Sequence, residues 1–333
     1  MSTLPSTAFG RSGPNVSRLG FGAMGLTGGN WPFGLVEDEA AIGSVLHALE
    51  RGVSFIDTAR GYGRSEELIG AALRRWTGPA PFVATKASMV APLWAWQMPP
   101  ALEEAYPRGQ ITKSAHDSLK ALGLERLDLL QLHLYWPNWG TDGYWLEELV
   151  ALRDAGLVAR IGVSLPDQRC DVGLPLVLSG AIDAVQVVLN IFDPQALDCL
   201  VPACQERGVA VIARSVLDES GLTGTLRGDT VFAPGDHRDA YFDVIPRAVY
   251  LERVERLRAF VPEHAGSLAA LALKFVLFDA GVTTAITSMH VPEHCDANVA
   301  ALEEPGLSAE AFHELRSFHR FVRNFYTAKV FLQ

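Results

Sequence analysis

Four residues in the first half of the chain have the types that acid–base chemistry at a polarised oxygen requires: Asp57, Tyr62, Lys86 and His133. Taken singly, three of them have ordinary readings. An Asp at a strand end caps a helix or binds a loop, a Tyr after Gly packs with its hydroxyl in water, and a His ending the run LLQLH is a satisfied core residue. Lys86 resists such a reading, because FVATKAS sets an ammonium beside an apolar strand, where desolvation must be offset by a partner. Together the four make a site. Asp57 can pair with Lys86 and hold it as an ammonium. That cation favours the phenolate of Tyr62, and a drop of about two or three units from the ordinary phenol pKa of ~10 brings it into acid–base range. His133 can hydrogen-bond a substrate oxygen on which negative charge grows as hydride reaches a carbonyl carbon. No side chain supplies hydride, so this chemistry needs a nicotinamide or a flavin.

These residues cooperate only if the chain sets strand ends side by side. Short β-branched runs alternate with helical patterns throughout. The expected strands are 16–25, 53–59, 81–87, 127–133, 158–164, 184–190, 209–217 and 283–289. Helix 37–52 places Ala41, Val45, Leu46 and Leu49 on one face and stops at Gly52, and 65–76 opens with Ser65 as cap and Glu66 and Glu67 at the positive end of the dipole. Near-continuously apolar strands suit a parallel sheet covered on both faces. Eight such units close as an α/β barrel of the (β/α)8 TIM type, one domain over 1–333. An open doubly wound sheet is the competing architecture. It wants a Gly-rich turn leading straight into a helix, and LGFGAMGLTGG runs into WPFG instead. In a barrel, polar residues at strand C-termini carry function. Asp57, Lys86 and His133 close the second, third and fourth strands, and Tyr62 follows in the loop after the second.

Composition narrows the partners. A net charge of -10 repels phosphate backbones and anionic membranes, which argues against a nucleic-acid or membrane partner. Cys170, Cys199, Cys204 and Cys295 form no C-x-x-C pair and read as buried thiols of a reducing compartment. The opening MSTLPSTAFGRSG lacks a signal-peptide core, and the most apolar stretch, 268–281, is broken by Lys274 and Asp279. A cytoplasmic protein is expected. No H-x-H or H-E-x-x-H spacing occurs, so no metal is expected and a metal-dependent barrel isomerase or hydrolase is disfavoured.

The chain resembles the aldo-keto reductase family over essentially its whole length. GVSFIDTARGYGRSEELIGAAL is similar to the family signature around its catalytic Asp and Tyr, VATKAS to the Lys segment, and LDLLQLH to the His segment. The resemblance implies a catalytic tetrad of Asp57, Tyr62, Lys86 and His133, with Tyr62 the general acid in carbonyl reduction. It also implies that Ser164 and Gln186 meet the nicotinamide carboxamide and that ARSVLDESGLTG wraps the pyrophosphate, through Arg214, Ser215, Leu217, Gly221 and Thr223. Ser288, His290, His294 and Asn298 would then hold the adenosine end, aided by the helix N-terminus after Val291. NADP(H) is favoured on family grounds, with NAD(H) the alternative.

Three departures bear on the cofactor. Leu165 stands where family members often have Asn, Arg214 replaces an aromatic residue under the nicotinamide, and ITSMH replaces a segment resembling IPG-x-R, with Thr287 and Ser288 for Pro and Gly and His290 for the basic residue. On the substrate side, Trp31, Trp94, Trp96, Trp136, Trp139 and Trp145 are expected in strand-to-helix loops, suiting a bulky, cyclic or sugar-like ketone or aldehyde. Any one of them also suits a loop-anchoring role. Two rivals share the fold: an aldose dehydrogenase running oxidatively, and a non-catalytic nicotinamide-binding regulatory subunit.

Overall fold

A computed structural model describes residues 4–27, 36–91, 98–234, 236–243 and 246–318. Eight parallel strands close on themselves: β1 (Leu19–Gly22), β2 (Phe55–Asp57), β3 (Phe82–Ala87), β4 (Leu129–Leu132), β5 (Ile161–Ser164), β6 (Ala184–Val188), β7 (Ala210–Arg214) and β8 (Thr284–Ser288). Each strand pairs with the next in sequence, and β8 returns to β1. The outer helices are α1 (Asp38–Glu50), α2 (Ser65–Arg75), α3 (Gln110–Leu122), α4 (Tyr144–Asp154), α5 (Leu174–Ser179), α6 (Leu200–Arg207), α7 (Leu268–Phe278) and α8 (Pro292–Glu303). This is the (β/α)8 barrel read from the sequence. The strands are apolar because helices cover them outside and side chains fill them inside.

The first expected strand, 16–25, proves to be three things. Asn15–Ser17 pairs antiparallel with Ser6–Ala8, Leu19–Gly22 enters the barrel, and Ala23–Leu26 winds into a 3-10 turn. The hairpin plugs the N-terminal end of the barrel. Phe9 at its turn lies 4.4 Å, ring centre to ring centre, from Phe82 and stacks on Phe55 at 5.9 Å. That end is therefore sealed with apolar side chains, which leaves the opposite mouth for chemistry.

The apolar stretch 268–281 supplies α7, a buried core helix. Its Lys274 is held by Glu304 at 2.6 Å and by the carbonyl of His264 at 3.0 Å. No single helix among the described residues is long and apolar enough to cross a membrane. Cys204 and Cys295 are buried as expected, whereas Cys170 is half-buried and Cys199 exposed.

Candidate active site

β2 ends on Asp57, and the chain must turn at once to reach α2. Backbone bonds from Tyr62 N to Ala59 O (3.0 Å) and from Ser65 N to Tyr62 O (2.9 Å) close that turn. Gly63 permits it: its φ is +51°, and a Cβ there would lie 2.3 Å from the carbonyl oxygen of Thr27. Tyr62 is thereby fixed against the loop after β1. Ser65 is not a cap as expected. It is the first helical residue, and its hydroxyl bonds Thr58 (2.8 Å) and the carbonyl of Ala23 (3.2 Å). Glu66 is buried and accepts from Thr85 Oγ1 at 2.6 Å and from Arg60, tying α2 to β3.

Across the β2–β3 ladder Asp57 faces Ala84. Side chains two residues apart share a face of a strand, so Lys86 returns to the same carboxylate. Its Nζ donates to Asp57 Oδ2 at 2.5 Å and to the carbonyl of Thr58 at 2.9 Å. Both residues are buried, at 1% and 2% exposure, where an ion pair holds only if its remaining capacity is met. Asp57 Oδ1 completes the set by accepting from Gln186 Nε2 at 2.8 Å and, at a longer 3.4 Å, from Gln131 Nε2. Gln186 is expected at the cofactor, and its bond to Asp57 is additional. Gln131 goes unnoticed in the sequence reading, although one amide among the leucines of LDLLQLH is the signal that finds it.

The Lys86 ammonium lies 5.1 Å from the centre of the Tyr62 ring. His133 presents its imidazole edge-on to that ring, with centres 5.4 Å apart and planes at 78°. The four side chains thus meet at one mouth of the barrel. Their electrostatics correct one expectation. Burial raises the Tyr62 pKa above the usual phenol value, and the pull of Lys86 and Arg214 in the other direction is smaller. Tyr62 is a neutral phenol. Burial, together with Lys86 and Arg214, holds His133 well below the usual imidazole range, so it too is neutral.

The mouth continues over β5, β6 and β7. Ser164 sits opposite Gln186 in register, and both are buried. Arg214 closes β7, and its Nη2 reaches over to the β5 loop, donating to Leu165 O at 2.8 Å and Asp167 Oδ1 at 2.6 Å. Two positions that depart from family habit, 165 and 214, are therefore in direct contact.

The loop after β7 is backbone-strained. Ser215, Asp218, Glu219 and Ser220 have φ of 51°, 47°, 53° and 76°, a region costing roughly 1–2 kcal/mol for each residue with a Cβ. Side chains hold it there. Asp218 accepts from Tyr241 (2.5 Å) and Tyr250 (2.7 Å), and Glu219 accepts from Ser215 Oγ (2.9 Å) and contacts His237 Nε2 (2.8 Å). Burial opposes both charges of the latter pair, but their mutual bond wins: the Glu219 pKa is lowered and that of His237 raised. Gly221 packs so closely that a Cβ would fall 2.0 Å from the Tyr250 hydroxyl, Thr223 Oγ1 donates to Ser220 O at 2.7 Å, and Leu217 is half-buried.

At the end of β8, Ser288 Oγ and His290 Nδ1 are 2.7 Å apart, and the His290 and His294 rings meet at 5.2 Å. Asn298 on α8 donates to Thr287 Oγ1 at 3.0 Å, joining helix to strand. Burial, with His294 and Arg238 nearby, pushes the His290 pKa below the usual imidazole value.

The model of the aldo/keto reductase family matches residues 18–320. The chain belongs to the aldo/keto reductase family, and it is a nicotinamide-dependent oxidoreductase. It is 26% identical to the NADH-specific methylglyoxal reductase of Escherichia coli strain K12, covering 86% of this chain and 90% of that protein. It is 28% identical to the D-threo-aldose 1-dehydrogenase of a Pseudomonas species, covering 93% and 96%. Among solved structures, the glycerol dehydrogenase AKR11B4 from Gluconobacter oxydans superimposes with a TM-score of 0.74 at 25% identity, covering 94% and 95%.

Among the described residues of this aldo-keto reductase, Trp139 and Trp145 anchor a loop and do not line the mouth. Trp31, Trp94 and Trp96 lie outside the described residues. Trp139 is buried with its indole N–H on Pro100 O at 2.8 Å, and Trp145 belongs to α4, fully buried, bonding Gly140 O at 3.3 Å. Both anchor the β4 loop, because a buried indole N–H must find an acceptor and the backbone carbonyls of neighbouring loops provide it. Trp136 is buried too, with the Arg169 guanidinium 5.7 Å from its ring.

Proposed function

We propose that this aldo-keto reductase reduces a ketone or aldehyde with a nicotinamide cofactor, Tyr62 delivering the proton. The observation that carries the reading is the buried Lys86–Asp57 pair with Tyr62 and His133 gathered at the same barrel mouth. The bound reduced cofactor supplies hydride. Neutral His133 donates a hydrogen bond to the carbonyl oxygen and orients it. Tyr62, kept protonated by burial, gives its proton to that oxygen as charge develops there. Lys86 steadies the phenolate left behind, and Asp57 fixes Lys86. Oxidation uses the same groups in reverse, with the phenolate as base.

Ser164 and Gln186 suit the nicotinamide carboxamide. A hydroxyl and an amide stand side by side in register, and with Gln186 Nε2 on Asp57 its Oε1 is the atom turned to a donor. Arg214 would meet the nicotinamide end, the Ser215–Thr223 loop with Leu217 and Gly221 would take the pyrophosphate, and Ser288, His290, His294 and Asn298 would take the adenosine end. We favour NADP(H), with NAD(H) as the alternative because the E. coli relative is named as NADH-specific. The single barrel acts as a cytoplasmic enzyme on a bulky or sugar-like carbonyl. The dehydrogenase named from Pseudomonas favours aldose oxidation as the second reading.

The test follows NADPH and NADH binding by fluorescence, then cofactor absorbance with ketones, aldehydes and aldoses. Turnover is expected in wild type and not in Tyr62→Phe. Binding without turnover on every carbonyl and aldose would leave only the non-catalytic regulatory reading.

A further inference from the structure

The turn that carries Tyr62 is fastened to β3 on both sides of that residue, by groups that the tetrad does not use. Before Tyr62, Arg60 N donates to the carbonyl of Lys86 at 3.1 Å. After it, Glu66 Oε1 accepts from Thr85 Oγ1 at 2.6 Å. Glu66 Oε2 accepts from Arg60 Nη1, which joins the two fastenings to each other. Thr85 and Lys86 are neighbours on one strand, so the bonds close a ring that runs from Lys86 through Arg60 and Glu66 to Thr85. Tyr62 sits on the arc between Arg60 and Glu66.

The burial of this ring sets it apart from a surface ion pair. A glutamate in the first turn of a helix can serve the dipole from the solvent side, as Glu67 does. Glu66 is instead 1% exposed, and Thr85 is wholly buried. A carboxylate so placed persists only where partners meet its charge and lone pairs, and Arg60 and Thr85 do so. Successive side chains of a strand point to opposite faces. Thr85 therefore turns out to α2, while Lys86 turns into the barrel and to Asp57. One strand thus carries the ammonium on its inner face and the anchor of the phenol's turn on its outer face. Other fastenings of the turn run to the loop after β1, from Arg64 N to Thr27 O at 3.1 Å and from Ser65 Oγ to Ala23 O at 3.2 Å. The ring ties it to the side where Lys86 stands.

We propose that Arg60 and Glu66 are a positioning pair that holds the Tyr62 hydroxyl within reach of Lys86. This rests on the reading of Tyr62 as the proton donor. Burial raises the Tyr62 pKa, Lys86 and then Arg214 pull it down, Asp57 pushes it up, and neutral His133 meets the ring edge-on. Glu66 faces Arg60 and Thr85, and the charge of Arg60 also reaches Asp117 on α3. The pull of a cation weakens with distance. A turn that drifts from β3 therefore leaves Tyr62 a weaker acid and its proton worse placed.

The experiment compares the full-length wild type with Arg60→Met/Glu66→Met, which replaces the ion pair by apolar side chains, an exchange that often leaves stability intact. The melting temperature should hold, but apolar contacts are non-directional and do not fix the turn. With para-nitrobenzaldehyde as the carbonyl, kcat should fall about ten- to a hundredfold, the scale for a slightly misplaced reacting group. The cofactor KM should stay within about twofold, because the residues proposed for the cofactor stand on β5 to β8 and their loops. With para-nitrobenzyl alcohol, the rising limb of oxidation should move to higher pH by about half a unit or more. Arg60→Lys keeps a cation on Glu66 and should retain most of both. Thr85→Val cuts one bond of the ring and should shift both readouts the same way by less. A double variant that melts normally and keeps the wild-type kcat and limb overturns the pair's role, and so does one whose kcat falls while the limb stays. Should the double variant not fold, Thr85→Val decides, and wild-type values there overturn the ring. A wild type that turns over no faster than Tyr62→Phe removes the reading of Tyr62, and the pair falls with it.

Discussion

Gln186 Nε2 donates to Asp57 Oδ1 across 2.8 Å, so the β6 amide proposed for the cofactor also holds the carboxylate of the tetrad. Lys86 and Gln186 are thus joined through one carboxylate, and a carboxamide held by Gln186 would be linked to the ammonium. Gln131 reaches the same oxygen only at 3.4 Å.

Gln186→Leu should therefore damage cofactor binding and turnover together. It removes an acceptor from the carboxamide and a donor from a buried carboxylate, each worth about 1–3 kcal/mol when left unmet. A rise in cofactor KM with a fall in kcat, each of about tenfold or more, is expected. Gln131→Leu should leave the cofactor KM within about twofold, since its bond to Asp57 is long. Equal effects of the two variants would show that Gln186 has no special place.

Tyr62→Phe keeps the ring and removes the proton. Cofactor fluorescence and melting temperature should persist, while reduction slows by about 10²- to 10⁴-fold, the usual range for a general acid. Near wild-type turnover would exclude Tyr62 as the donor.

Lys86→Met leaves Asp57 buried with only amides around it, a change of the kind that costs about 3–5 kcal/mol. Adding Asp57→Asn should recover part of that stability without recovering activity. The pH profile carries the sharper sign. The cation lowers the Tyr62 pKa against burial, so its loss moves the rising limb of alcohol oxidation, along which the phenolate base forms, to higher pH. An unmoved limb would mean that Tyr62 does not titrate in that limb.

The gathering of Asp57, Tyr62, Lys86 and His133 was legible because each either ends a strand or follows one directly, and barrel geometry then sets strand ends ~4.8 Å apart. Their protonation states were not, since the acidity of Tyr62 depends on how much surrounding protein displaces water, and spacing does not report that. Trp145 illustrates a different loss. Trp145, Leu149 and Leu152 repeat at helical spacing, which marks α4, yet an aromatic count across the loop hides that pattern. The N-terminal hairpin was missed because Asn15–Ser17 runs almost directly into Leu19–Gly22, two strands in different sheets read as one. Arg214 on Leu165 joins residues on different strands and loops, and a single sequence carries no sign of such a pair.

The last prediction concerns the pin between Glu219 and His237, which holds left-handed backbone in the loop after β7 that we propose for the cofactor. The Glu219 pKa is lowered on folding, so its stabilisation is present above the unfolded value of about 4.3 and lost as pH falls through the folded one. The His237 pKa is raised, so its stabilisation is full below about 6.5 and lost as pH climbs through the folded value. The pin is therefore strongest in mildly acidic solution and weakens on the alkaline side. Asp236 adds to the charge on His237 and Arg238 subtracts from it, while Arg214 and Ser215 help to keep Glu219 ionised. His237→Gln retains a hydrogen-bond donor and cannot titrate. The melting temperature of wild type minus that of His237→Gln should shrink steadily between about pH 6 and pH 9. NADPH affinity should follow in wild type and stay flatter in the variant. A difference that stays constant or grows with pH would show that the imidazole is neutral in its contact with Glu219, and that the loop is held by Asp218 and its two tyrosines instead.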